Sequence, residues 1–214
     1  DNLPWLEFRR VLFRSEFGIE IFADEITKQK SKITNENWLY VGALFIPVST
    51  KNILLKQLND CRCLNENNKK WATPQSECPI NCKYHVQNDT EIHYVKIDQS
   101  KSQIKIAEKW LEFTMKRALP QNLLYFSILG INLSKMELDL FGDPDQQDVT
   151  YNVYTRFFRT IIKHGVNYFF KEKPQLVIKN VFHDSGAQES HPYFRTHPLS
   201  KLQLELPNLQ IEEN

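Results

Sequence analysis

All four cysteines of the chain fall in one stretch, as Cys61-Arg62-Cys63 and Cys78-Pro79-Ile80-Asn81-Cys82, and His85 follows three positions later. Thiolates and imidazole are the preferred ligands of Zn2+, and four of them close a tetrahedral structural site that offers no open position to a substrate. Five candidates stand for four places, so spacing alone leaves the ligand set open, with unliganded surface thiols as the alternative. Acids beside bases offer a second chemistry. Glu91 and His93 alternate in a segment of period two and so share one face, where a carboxylate and a general base could meet one site.

The elements that must position these groups follow from the hydrophobic pattern. Residues 18–26 read as a strand, because Ile19, Ile21 and Ala23 alternate with Glu20, Phe22 and Asp24, and this strand closes in Asp24-Glu25. Residues 38–46 are a near-continuous apolar run, as expected for a strand buried on both faces, and the two predict a hairpin. Residues 50–58 predict a short helix that Thr50 could cap. Residues 60–89 are polar, rich in Asn, Lys, Pro and Cys, and without period. They predict an inserted loop, long enough to need a staple.

Order returns at residues 90–97 as a third strand, followed by a helix over 101–118 with Ile104, Ala107, Trp110, Leu111 and Met115 on one stripe, ended by Pro120. Residues 123–133 form the fourth predicted strand and 138–148 a turn-rich connection. A long helix over 149–170 carries Val153, Phe157, Phe158, Ile161, Ile162 and Val166. A fifth strand over 176–182 runs into His183-Asp184-Ser185-Gly186, and 190–202 predicts a short helix. The predicted order is β-β-β-α-β-α-β, an α/β fold.

An apolar fraction of 41% and a charged fraction of 25% are ordinary for a globular chain and argue against disorder over most of it. One domain with an insertion is expected, spanning residues 16–214. No apolar run reaches the roughly 20 residues of a membrane helix, and the charged N-terminus is a poor signal peptide. No membrane partner and a cytoplasmic location are therefore expected. Leu12-Phe13-Arg14-Ser15 is what a common sequencing adapter encodes in one frame, so residues 1–15 are expected to be an artefactual or disordered extension. A natural extension packing Trp5, Leu6 and Phe8 is the alternative. Residues 202–211 alternate like a strand and then stop, which leads us to expect that a C-terminal part is missing.

The net charge of +1 gives no global attraction to phosphates. A local row at Arg156, Arg159 and Lys163, spaced three and four apart, could face a nucleic acid or simply be a solvated helix face. No nucleotide-binding glycine loop and no G-x-S-x-G elbow is present, which argues against P-loop, dinucleotide and hydrolase-elbow chemistry.

Phe22-Ala23-Asp24-Glu25, Trp38-Leu39-Tyr40-Val41-Gly42-Ala43-Leu44, Glu91-Ile92-His93-Tyr94 and the segment 177–184 together resemble the family catalogued as domain of unknown function 3800 (DUF3800), over roughly residues 18–206. The resemblance implies a ribonuclease-H-like mixed β-sheet of about five strands flanked by helices, with the Cys-rich loop inserted. In that fold, carboxylates at strand ends collect two divalent cations. The family's acidic first-strand motif falls on Asp24 and Glu25, and its later acid on Asp184. Ile26 and Thr27 stand where the family usually has Ser and Gly, so the local turn must differ. A further acid of the family would lie beyond Asn214.

By this resemblance Asp24 and Asp184 are the expected ligands of Mg2+ or Mn2+, with Glu25 and Glu91 as weaker candidates and His93 as a base. The expected function is a metal-dependent nuclease or related phosphodiester hydrolase. The competing expectation is a catalytically inactive domain that binds nucleic acid or protein and is held by a structural zinc site. Fold likeness alone does not decide between them.

Overall fold

The computed structural model describes residues 16–64, 73–78, 83–85, 92, 97, 100–142, 148–173, 175–183, 202–203, 205–206 and 209–211. The chain divides into two compact units, Asp1–Val48 with Tyr125–Asn214, and Ser49–Leu124. The fold is mixed α/β. No helix among the described residues is long and apolar enough to cross a membrane.

The first unit is built on a five-stranded sheet in the order β3-β2-β1-β4-β5. Its strands are β1 (Phe17–Lys30), β2 (Asn37–Pro47), β3 (Tyr125–Asn132), β4 (Leu176–His183) and β5 (Leu209–Ile211). β1 and β2 form the expected antiparallel hairpin, and β3 runs antiparallel to β2. On the other side β4 is parallel to β1, and β5 to β4. At the hairpin turn Asn35 takes the left-handed conformation, φ 59°, which Asn tolerates better than most residues. Period-two alternation sets the core: Ile19, Ile21 and Ala23 of β1 and Leu39, Val41, Ala43 and Phe45 of β2 are buried.

The helix Asp148–Phe169 packs against these residues through Val153, Tyr154, Phe158, Ile161, Ile162 and Val166. Its approach is close at Gly165, where a Cβ would stand 2.1 Å from the Phe45 ring. Only glycine allows the helix this near the sheet.

Several expectations are corrected. The predicted strand at 90–97 lies outside the described residues except for Ile92 and Ile97, neither of which is in a strand. β2 is buried mainly on one face, with Leu44 39% exposed on the other. Leu202 and Gln203 are helical, and the last strand begins only at Leu209. The predicted helix at 190–202 lies outside the described residues except for Leu202.

The second unit holds two helices, α1 (Lys51–Asp60) and α2 (Lys101–Phe113), so we label the first unit's helix Asp148–Phe169 as α3. Ser100 caps α2 by accepting the Gln103 N–H at 3.4 Å. Thr50 stands at the start of α1 but does not cap it, because its hydroxyl donates to the Leu123 carbonyl at 2.8 Å. The predicted helix over 101–118 is α-helical only to Phe113 and finishes in one π turn, Thr114–Ala118. Its buried line runs through Ile106 and Phe113, while Leu111 and Met115 face out. Trp110 donates its indole N–H to the Leu58 carbonyl at 2.8 Å, tying α2 to α1.

Candidate functional site

In the first unit the two parallel strands at the centre of the sheet converge on a polar cluster. β1 and β4 keep register from Phe17 opposite Leu176 to Ile19 opposite Ile178, then shift so that Glu20 faces Asn180 and Ala23 faces His183. The extra residue, Lys179, is a bulge, and it re-aims everything after it. Without it Asn180 and Phe182 would continue the core face begun by Ile178. With it, Val181 and His183 do. His183 therefore lies under α3, edge-on to Tyr154 and Phe158 at ring separations of 5.6 and 5.8 Å.

Glu25 continues the same face of β1 beyond Ile19, Ile21 and Ala23. Its Oε2 lies 3.0 Å from His183 Nε2, and the Tyr154 hydroxyl hydrogen-bonds to the same nitrogen. The His183 and Glu25 side chains are only 3% and 10% exposed. Burial alone would raise the Glu25 carboxyl, but the hydrogen bond and charge of His183, with the Tyr154 hydroxyl, more than offset it and hold the group below its ordinary value. Burial, with the nearby Glu25 charge, pushes the Tyr154 phenol far up, so it remains a donor at any working pH. The result is a buried carboxylate whose proton partners are fixed.

Asp24 points the other way. It is exposed, and its Oδ1 accepts the Glu25 N–H at 2.8 Å. Along the same face lie Phe22 and Phe182, stacked at 4.6 Å with 17° between the rings. The structure thus separates the two acids of the sequence motif: Glu25 into a buried network, Asp24 toward solvent. Glu91, His93 and Asp184 lie outside the described residues.

The second unit gathers Cys63, Cys78 and His85. One ligand atom from each lies within 4.8 Å of the others, and all three residues are buried. Cys63 lies three residues beyond the end of α1, while Cys78 follows the turn Gln75–Glu77 and His85 ends the turn Lys83–His85. The surrounding chain is strapped to the helices by polar contacts. Arg62 Nε donates to the Tyr84 carbonyl at 3.0 Å and its guanidinium lies 5.7 Å from the Trp110 ring centre. Tyr84 and Ser102 share a hydroxyl hydrogen bond of 2.8 Å, Lys109 donates to the Cys63 carbonyl, and the Thr73 N–H to the Asp60 carbonyl at 3.1 Å.

This group can accept a metal ion. Burial lowers the affinity of His85 for a proton, overriding the opposite pull of Asp60, and so favours the neutral imidazole that ligates metals. Cys61, a further sequence candidate, is buried but does not belong to the group. Burial pushes its thiol up to about 12, the behaviour of a small apolar side chain. Cys82 lies outside the described residues.

His183 and Tyr154 escape the sequence reading. A signal for Tyr154 exists: it sits four residues before Phe158 on the buried stripe of a helix, and a buried tyrosine needs a partner for its hydroxyl. The bulge that turns His183 inward has no such signal. As for the basic row, Arg159 and Lys163 both pair with Glu205, at 3.0 and 2.7 Å, and only Arg156 of the three is classed as exposed. No protein-family profile, curated protein or solved structure matches the chain.

Proposed function

We propose that the chain is a metal-dependent nuclease or related phosphodiester hydrolase of the DUF3800 type, on a ribonuclease-H-like sheet. The observation that carries this reading is the register of the central parallel strands. Ala23 faces His183, and the next residues of the chain are Asp24-Glu25 on one strand and Asp184 after the other. A mixed five-stranded sheet with β1 at its centre suits a fold in which carboxylates gather at strand ends.

The residues fit the chemistry. Asp24 is exposed and has one carboxylate oxygen engaged by the Glu25 N–H, which leaves the second oxygen available to a hard cation such as Mg2+ or Mn2+. Such a cation supplies activation of the attacking water and stabilisation of the leaving oxygen. Asp184 and Glu91 are the proposed companion ligands and His93 the proposed base. Glu25, fixed by His183 and Tyr154, holds the end of β1 in place and keeps a negative charge beneath Asp24. The exposed ring of Phe182, stacked on Phe22 on the Asp24 face, offers an apolar surface on which a base could rest.

The test is nicking of DNA and RNA substrates in Mg2+ or Mn2+ by the wild type and by Asp24→Asn and Asp184→Asn, with folding checked by circular dichroism. Loss of at least about 100-fold in rate in both folded variants is the expected result. Nucleic-acid binding that persists without any cleavage by the wild type would establish the competing reading, a catalytically inactive binding domain.

A further inference from the structure

We propose that Cys63, Cys78 and His85 hold a zinc ion that fixes the irregular chain of the second unit to α1 and α2. This inference is independent of the nuclease reading.

Three observations converge. The Cys63 and Cys78 sulfurs lie 3.8 Å apart. A disulfide needs about 2.0 Å, whereas two thiolates each about 2.3 Å from a common tetrahedral centre stand about 3.8 Å apart. The sulfurs are therefore spaced as the edge of a zinc tetrahedron. His85 is the second observation. It is only 3% exposed, and neither ring nitrogen has a hydrogen-bond partner among the described residues. A buried imidazole with both nitrogens unsatisfied is costly, and it is brought within 4.8 Å of two sulfurs. Ligation satisfies one nitrogen.

The third observation is the poverty of the local core. Around Cys63 and Cys78 the only partly buried apolar partner among the described residues is Tyr84, and Arg62, Thr73 and His85 are buried beside the helices' own residues. Among the described residues this irregular chain has little apolar surface to bury, and a metal ion would supply order to it outright. Soft thiolates with an imidazole select zinc over hard cations such as Mg2+.

Elemental analysis of the full chain tests this, alongside Cys63→Ser, His85→Ala and Cys61→Ser. The expected result is about one zinc per chain, kept in Cys61→Ser and lost in the other two. Affinity should fall by more than about 100-fold, since even loss of a group that only supports a ligand costs 10–100-fold. As these variants could misfold, wild-type protein stripped by a chelator is also titrated with Co2+. Strong visible bands of tetrahedral thiolate-bound cobalt support the site. Absence of zinc together with no cobalt spectrum overturns it, as does a Cys63–Cys78 disulfide found by mass spectrometry. Retention of zinc in Cys63→Ser or His85→Ala, or its loss in Cys61→Ser, overturns the ligand assignment.

Discussion

The two units of the chain reach order by opposite routes. The sheet unit buries a continuous set of apolar side chains, from Ile19 and Phe45 to Ile162 and Leu209, and places a buried polar cluster, Glu25 with His183 and Tyr154, at the rim of that core. Among its described residues the helical unit buries few apolar side chains outside its helices, and polar straps from Arg62, Tyr84 and Lys109 surround two cysteines and a histidine. Apolar burial is roughly additive over area and tolerates local damage. A polar network depends on every member being satisfied. The sheet unit should therefore fail gradually with packing defects, and the other abruptly when one strap is cut.

The sharpest way to break this comparison is Phe45→Ala, at the centre of the sheet unit's aromatic cluster with Phe169 and Phe170. It should cost about 3–5 kcal/mol, read by chemical denaturation, while cysteine reactivity in the helical unit stays unchanged. Gly165→Ala should cost up to about 3 kcal/mol by overpacking against the same ring, and Phe45→Leu in the same chain should recover part of it. A double variant no better than the single one would show that the helix, and not the ring, gives way.

In the helical unit Arg62→Ala removes a hydrogen bond and a cation–π contact at once and should cost about 2 kcal/mol. Proteolysis between residues 61 and 85 reports it. If cleavage there does not increase, the straps are not what orders the segment.

Tyr154→Phe should cost about 1 kcal/mol and leave Glu25 with one partner fewer. The pH dependence follows from the sign of the Glu25 shift. Its folded value lies below the ordinary 4.5, so its contribution is complete above pH 4.5 and lost as pH falls through the folded value. The stability difference between wild type and Glu25→Gln should therefore shrink in acid, measured as urea midpoints from pH 6 to 3. A difference that grows in acid would reverse the assignment. The smallest effect is expected at the exposed pair Glu112–Lys116, where Glu112→Gln should change stability by no more than about 0.5 kcal/mol.

Much of the sheet unit was legible because its signals are local and repeated. The alternation from Ile19 to Ala23, the apolar run of β2 and the stripe of α3 each define an element and its buried face. The same alternation, carried two residues further, assigns Glu25 to the core face and Asp24 to the other. What escaped depends on pairing partners. The bulge at Lys179 is visible only against β1, a pairing that no local window records. In the helical unit the clustering of cysteines was plain in the sequence. Which of them converge depends on the path of chain with no period of its own, and the described residues bring Cys63, Cys78 and His85 together without Cys61.

One feature of the sheet bears on how it meets solvent. β1 runs to Lys30, and among the described residues its pairing with β4 reaches as far as Ala23 opposite His183. Beyond Ala23 β1 pairs with β2 alone among the described residues, and every second residue of the strand, from Glu25 onward, turns its N–H and C=O away from that partner. The first of these, the Glu25 N–H, is taken by the Asp24 carboxylate. Asp24 thus acts as a plug on the backbone of its own strand, satisfying a donor on the side of β1 away from β2. Amide exchange along residues 24–30 should alternate slow and fast with the strand's period. Anything that draws the Asp24 side chain outward should release the Glu25 amide into the fast set.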